Sequence, residues 1–281
     1  SSVIFRLQFV VSASVVLVAL AASVQCRHLA DDLDNEVSQT AEGNMGSPVG
    51  MVGGQGGHPG GEWVKISQPP VSVITRKVGQ HVELRCDAMG SPPPTIQWFK
   101  RNQRITENES FEENNLITGS PGLAKVSSRL VINYLLPRHQ DIYRCVAESG
   151  GKMASAASKL IITNKEGREM NLTQLINAKI LGAHHLPRVT FWASTYMDVI
   201  GNDVILPCKF VGNPKPSVVW IDPYSKVIES DGEKYSVSQD GELKIRAISW
   251  SDMGPYTCAV ENSAGEDSVE TFLYPMQEST K

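Results

Sequence analysis

One pattern of residues occurs twice in this chain. Gly79-Gln-His-Val82-Glu-Leu84-Arg-Cys86 returns 122 positions later as Gly201-Asn-Asp-Val204-Ile-Leu206-Pro-Cys208. In each copy Val, Leu and Cys alternate with other residues, the period of a strand with one buried face. The match runs on through Gly90-Ser-Pro92-Pro-Pro94-Thr-Ile96-Gln-Trp98 and Gly212-Asn-Pro214-Lys-Pro216-Ser-Val218-Val-Trp220, with the Trp twelve residues after the Cys both times. The glycine and prolines mark a bend between two short strands. Leu130-Val-Ile132 and Leu243-Lys-Ile245 repeat the period of two, and each copy ends on Tyr-x-Cys: Tyr143-Arg-Cys145 and Tyr256-Thr-Cys258. The reading is an all-β chain of two copies of one module, which 281 residues have room for.

This order of Cys, Trp and Tyr-x-Cys resembles immunoglobulin domains of the I-set type over residues 63–163 and 187–275. The resemblance implies two β-sandwiches, with Cys86 bridged to Cys145 and Cys208 to Cys258 between facing sheets. Trp98 and Trp220 would pack on the bridges, and the hydroxyls of Tyr143 and Tyr256 would turn back to the chain at a strand corner. Each bridge would close a loop of fifty to sixty residues, worth about 4 kcal/mol in the chain-entropy model. Buried free thiols fit a secreted chain poorly, and no C-x-x-C pair suggests zinc. The copies differ in two ways. The first has about nine extra residues, placed in the polar stretch from Arg104 to Lys125. It also carries His139 and Asp141 where the family usually has Asp and Gly, which puts the usual salt bridge at that corner in doubt.

Outside the copies the sequence changes character. Residues 1–25 read as a signal peptide: Arg6, an uncharged run from Phe9 to Val24, then small residues. The rival reading, a transmembrane anchor, needs about 20 strongly apolar residues. Cleavage is expected between about residues 22 and 27. Residues 26–62 form an acidic and then glycine-rich arm, too poor in apolar residues to fold alone. Cys26 lies at its edge, either removed or near the new N-terminus. Residues 164–186 form a linker in which Leu172, Leu175, Ile176 and Ile180 follow helical spacing. It reads either as a short amphipathic helix that docks on a domain or partner, or as a loop. His184 and His185 are expected to face solvent, since adjacent positions seldom converge on one ion. Asn108 and Asn171 head glycosylation sequons. The polar end, Met276 to Lys281, suggests no membrane stop or lipid anchor. The expected product is secreted and extracellular.

Chemistry is not apparent in the sequence. No G-x-S-x-G, H-E-x-x-H or phosphate-cradling glycine loop occurs, so no enzyme, cofactor or metal is expected. A net charge of −4 argues against a nucleic-acid partner. The charge is uneven, however: Lys and Arg exceed carboxylates by five over residues 63–163 and fall short by six over 187–275. The basic half leaves a polyanion reading open.

The second copy, through Ile200 to Cys208, Ile248-Ser-Trp250-Ser-Asp-Met-Gly254 and Thr271-Phe-Leu-Tyr-Pro275, resembles the insect family of the imaginal morphogenesis protein late-two. That resemblance implies secreted two-domain proteins that bind insulin-like peptides and restrain insulin signalling. The alternative is an adhesion or guidance protein with cell-surface partners in neural or ectodermal development. Strand parity offers contact candidates. With Trp220 inward, Val219 and Ile221 point out, as do Phe99 beside Trp98 and Val146 beside Cys145. Leu172 and Ile176 of the linker complete the candidate ligand-binding set.

Overall fold

A computed structural model describes residues 61–105, 122–163 and 184–277. The signal and nearly all of the arm, Cys26, the sequons at Asn108 and Asn171, and Leu172 and Ile176 lie outside the described residues. The first copy forms β1 (Trp63–Gln68), β2 (Val73–Lys77), β3 (Val82–Ser91), β4 (Thr95–Lys100), β5 (Gln103–Arg104), β6 (Leu123–Ile132), β7 (Asp141–Ser149) and β8 (Lys152–Thr163). The second forms β9 (His185–Val199), β10 (Val204–Leu206), β11 (Cys208–Asn213), β12 (Ser217–Ile221), β13 (Tyr235–Val237), β14 (Leu243–Ile245), β15 (Gly254–Asn262) and β16 (Gly265–Met276).

In the first sandwich β1-β3-β6 faces β2-β8-β7-β4-β5. Val82, Leu84 and Cys86 of β3 point into the core, while Glu83 and Arg85 between them face out. Cys86 is bonded to Cys145 and Cys208 to Cys258, each with 6.5 Å between Cα atoms. Both tryptophans are buried and satisfied. The indole N–H of Trp98 donates to Ser128 Oγ at 3.0 Å, and that of Trp220 to the Gly241 carbonyl at 2.9 Å. Both tyrosine corners form. The Tyr143 hydroxyl donates to the His139 carbonyl at 2.8 Å and the Tyr256 hydroxyl to the Asp252 carbonyl at 3.1 Å.

The departures at the first corner are compensated locally. In the second sandwich the Asp252 carboxylate accepts the Ser249 N–H at 2.7 Å and pairs with Lys234 at 2.7 Å. In the first, His139 takes the capping role, its Nδ1 accepting the Leu136 N–H at 3.1 Å. Burial, then the neighbouring Arg138 and Lys100 charges, hold the imidazole below its ordinary pKa, which keeps that nitrogen an acceptor. Gly254 has φ +141°, and a Cβ there would meet Pro223 at 2.8 Å. The corresponding pair in the first sandwich is Asp141 with Arg101, joined by an ion pair of 2.9 Å.

The two sandwiches share one sheet. β6 pairs antiparallel with β9, from Leu123↔Met197 to Ser128↔Phe191, with a bulge between Lys125 and Val126. The strand order is therefore β1-β3-β6-β9-β16-β15-β12, with β11 also on β9. In the second sandwich β13 lies beside β14. Among the described residues β6 has β9 in that place, so two edges that would otherwise expose backbone groups satisfy each other. β9 is long enough, at 15 residues, to pair with β11 through its first half and with β16 through its second. His185 is accordingly not a solvent-facing loop residue. It opens β9 opposite Asn213, half-buried, because the strand starts there, while His184 is exposed.

Candidate functional site

Side chains from both units lock the joint. Trp192 of β9 is buried, with the guanidinium of Arg129 4.6 Å and that of Arg85 5.5 Å from its ring centre. Arg129 reaches Asp267 of the second sandwich at 3.4 Å, and the same carboxylate oxygen accepts the Val189 N–H at 2.9 Å. Arg188 pairs with Glu83 across the joint at 3.1 Å. Burying one Trp contributes about 3 kcal/mol to the pairing of β6 with β9. A crevice beside it, lined by Trp98, Leu130, Phe191 and Lys209, has room of about 60 Å³. That suits one or two waters and is far below the size of a small-molecule site.

The outer face of the shared sheet is the candidate surface. Register places Pro255, Phe272, Thr195, Lys125, Met89 and Lys65 in one row across six strands, all on the outward side. Alternation along the strands adds Tyr274, Met197, Leu123 and Trp63 to the same side, all half-buried. At the β12 edge Val219 is 42% exposed and Ile221 half-buried. They stand beside Ala259 and Thr257 in an open depression of about 520 Å³. Glu261, Glu266 and Glu270 rim this end, whereas Lys65 and Lys125 lie toward the other. Apolar residues gathered on one sheet face, here interleaved with Thr195, Lys125 and Lys65, mark an interaction site more often than scattered ones do.

The structure brings Val219 and Ile221 together. Phe99 and Val146 belong elsewhere: both face out from the β2-β8-β7-β4-β5 sheet of the first sandwich. The strip through Phe272, Met197, Leu123 and Met89 is absent from the sequence-derived candidates. Each strand's parity was readable, but the pairing of β6 with β9 that makes the strip continuous was not. Among the described residues no group of three or more His, Cys, Asp or Glu could hold a metal ion, and no described helix is long and apolar enough to cross a membrane.

Comparison with known proteins places this architecture. The immunoglobulin I-set family model matches residues 194–274 and a second immunoglobulin-domain model residues 65–149. Zwei Ig domain protein zig-4 of Caenorhabditis elegans is 31% identical over 217 residues, covering 75% of this chain and 79% of that protein. The chain belongs to the two-domain immunoglobulin family of the Zwei Ig proteins and IMP-L2. Neural/ectodermal development factor IMP-L2 of Drosophila melanogaster is 27% identical over 216 residues, covering 76% of this chain and 78% of that protein. The crystal structure of neural ectodermal development factor IMP-L2 superposes with a TM-score of 0.61 at 25% identity, covering 78% of this chain and 97% of that one. The family is one of immunoglobulin-domain proteins, not of enzymes.

Proposed function

We propose that this protein is secreted, binds insulin-like peptides outside the cell and keeps them from their receptor. The observation that carries the reading is the strip of outward apolar residues on the shared sheet, from Val219 and Ile221 through Phe272 and Met197 to Met89. The late-two family resemblance supplies the ligand class, and insulin-like hormones present apolar helical surfaces that such a strip suits. A small hormone laid across two sandwiches has little surface left for a receptor. The signal-like N-terminal sequence and two disulfides agree with an oxidising, extracellular site.

The test is calorimetric titration of the purified full chain against a panel of insulin-like peptides. Val219→Asp with Ile221→Asp, and separately Phe272→Glu, should each weaken binding at least about tenfold, because a charge buried without a partner costs several kcal/mol and each ~1.4 kcal/mol is a factor of ten. Absence of binding to every peptide rejects the function and favours an adhesion or guidance partner. Full-strength binding by folded variants rejects only the surface.

A further inference from the structure

The opposite side of the first sandwich has a different character. Residues 73–77, 95–104 and 137–163, which supply the β2-β8-β7-β4-β5 sheet and its turns, hold nine Lys or Arg against two carboxylates, Asp141 and Glu148. Eight of those nine cations are exposed, Lys100 being half-buried. They are also organised. Phe99 of β4 is in register with Arg144 of β7 on one side and Arg104 of β5 on the other, so all three share the outer face. With strands about 4.8 Å apart, the two arginines stand roughly 10 Å apart across the ring. Lys159 of β8 faces out opposite Ile142, next to Arg144, and Lys77 of β2 faces out opposite Thr163. Arg101 is paired with Asp141, whereas Arg144 and Lys159 form no ion pair with any described residue. Glu148 lies four residues from Arg144 along the strand, about 13 Å away. The equivalent sheet of the second sandwich is acidic, with Glu261, Glu266, Asp267, Glu270 and Asp222 against Lys226 over residues 217–228 and 254–276.

We infer that this face binds a linear sulfated polysaccharide. A protein partner is the weaker fit, because lysine is depleted at the cores of protein interfaces, and here Lys159 and Lys77 stand on the same face as the arginines. A polyanion is held by such flat, evenly spread cations, and Arg forks match sulfate oxygens as they match phosphate. Among polyanions the extracellular class follows from the proposed secretion, and the acidic second sandwich opposes a long, stiff nucleic acid lying across the whole molecule. The basic sheet lies on the far side of the first sandwich from the apolar strip, so the polysaccharide and a protein ligand occupy separate faces.

The test uses the full secreted chain and a heparin decasaccharide. Wild type should bind it near 0.15 M NaCl, with affinity falling steeply as salt rises. Arg144→Glu with Lys159→Glu should weaken binding at least about tenfold and flatten the log–log salt slope by about 1 to 2, as when phosphate contacts are lost from nucleic-acid binders. Arg144→Gln with Lys159→Gln should give a smaller loss in the same direction. Lys215→Glu with Lys226→Glu, a matched charge change on the second sandwich, should leave affinity within about twofold. Circular dichroism and melting temperature report that the variants fold. The inference is overturned if wild type does not bind the decasaccharide, if the control pair loses as much as the Arg144 and Lys159 pair, if desulfated polysaccharide binds equally well, or if poly-glutamate or duplex DNA binds more tightly than heparin.

Discussion

The guanidinium of Arg129, on the first sandwich, sits 4.6 Å from the ring centre of Trp192, on the second. It also reaches Asp267, with both side chains mostly buried at 18% exposure. The arginine thus bridges an aromatic face and a carboxylate across the strand pair that joins the units. Trp192→Ala should cost about 3–5 kcal/mol, as a large aromatic lost from a packed site. Arg129→Ala should cost about 1–3 kcal/mol, since cation–π contacts are worth up to ~2 when desolvated and Asp267 loses its cation. Arg129→Lys should recover only part of this, for want of the planar fork. Urea unfolding of the two single variants and the double variant gives the coupling directly; additivity within about 0.3 kcal/mol would show that the pair does not interact.

A second prediction concerns His139. Its folded pKa is lowered, chiefly by burial and then by Arg138 and Lys100. The unfolded chain therefore binds a proton more readily than the folded one. The stabilisation is complete above the unfolded value of about 6.5 and is lost as pH falls from there toward the lowered folded value. His139→Asp supplies the acceptor that Asp252 provides in the second sandwich and should remove that portion of the pH dependence. Asp203 and Asp231 are held low, mainly by backbone N–H donors. Their stabilising effect is present above the ordinary carboxylate range and lost below it, so it falls in a separate, more acidic window. Chemical denaturation of both proteins between pH 5 and 7.5 checks this. Parallel curves would count against a neutral His139 acceptor.

Much of the fold was legible because both copies state it. Cys86, Trp98, Tyr143 and Cys145, and their partners 122 to 113 residues on, fix a sandwich through local spacing alone. Parity was legible too, and Val219 does face out. The shared sheet was not. Nothing in Leu123 to Ile132 distinguishes a strand that meets a β13-like neighbour from one that meets β9, since pairing depends on which edge is left open in three dimensions. Trp192 illustrates the point: its apolar, strand-like surroundings predict burial but not the domain against which it is buried. The apolar strip was invisible for the same reason, while the basic sheet left a trace as the positive balance of residues 63–163.

The tyrosine corners provide a third prediction. Tyr143→Phe and Tyr256→Phe each delete a hydroxyl that donates to a carbonyl, His139 and Asp252 respectively. Each should cost about 1–2 kcal/mol, with the larger effect at Tyr256, whose bond is buried. Burial, followed by the Asp141 charge, pushes the Tyr143 hydroxyl up to about 12. Burial raises Tyr256 as well. Burial holds Tyr196 and Tyr235 up too, so spectrophotometric titration of the folded protein should show a group of late-ionising tyrosines, with one late ionisation lost in each variant. Ordinary titration of both would mean that the corners are open in solution.

The fourth prediction follows from the shared sheet itself. β6 contributes ten residues of edge, and β9 covers Leu123 to Ser128 of it. A fragment of residues 61–163 keeps the Cys86–Cys145 bridge and the Val82, Leu84 and Leu130 core, so it should fold. It would nevertheless present β6 without β9. Long strand edges with unpaired N–H and C=O groups recruit other chains. The isolated fragment should self-associate at concentrations where the two-sandwich protein is monomeric. Val126→Lys in the fragment should not be used to suppress this, because Val126 is a buried residue in the core and its loss would unfold the sandwich. Ser127→Lys is the better choice: Ser127 lies on the side of β6 away from the sandwich core, paired with Trp192 and covered in the intact protein, and lysine on an exposed edge blocks strand addition. That change should restore a monomeric fragment but destabilise the full chain, where Ser127 is buried. Analytical ultracentrifugation of both fragments and both full-length forms checks all four outcomes. A wild-type fragment that stays monomeric at high concentration would show that β6 is not an open edge once β9 is gone.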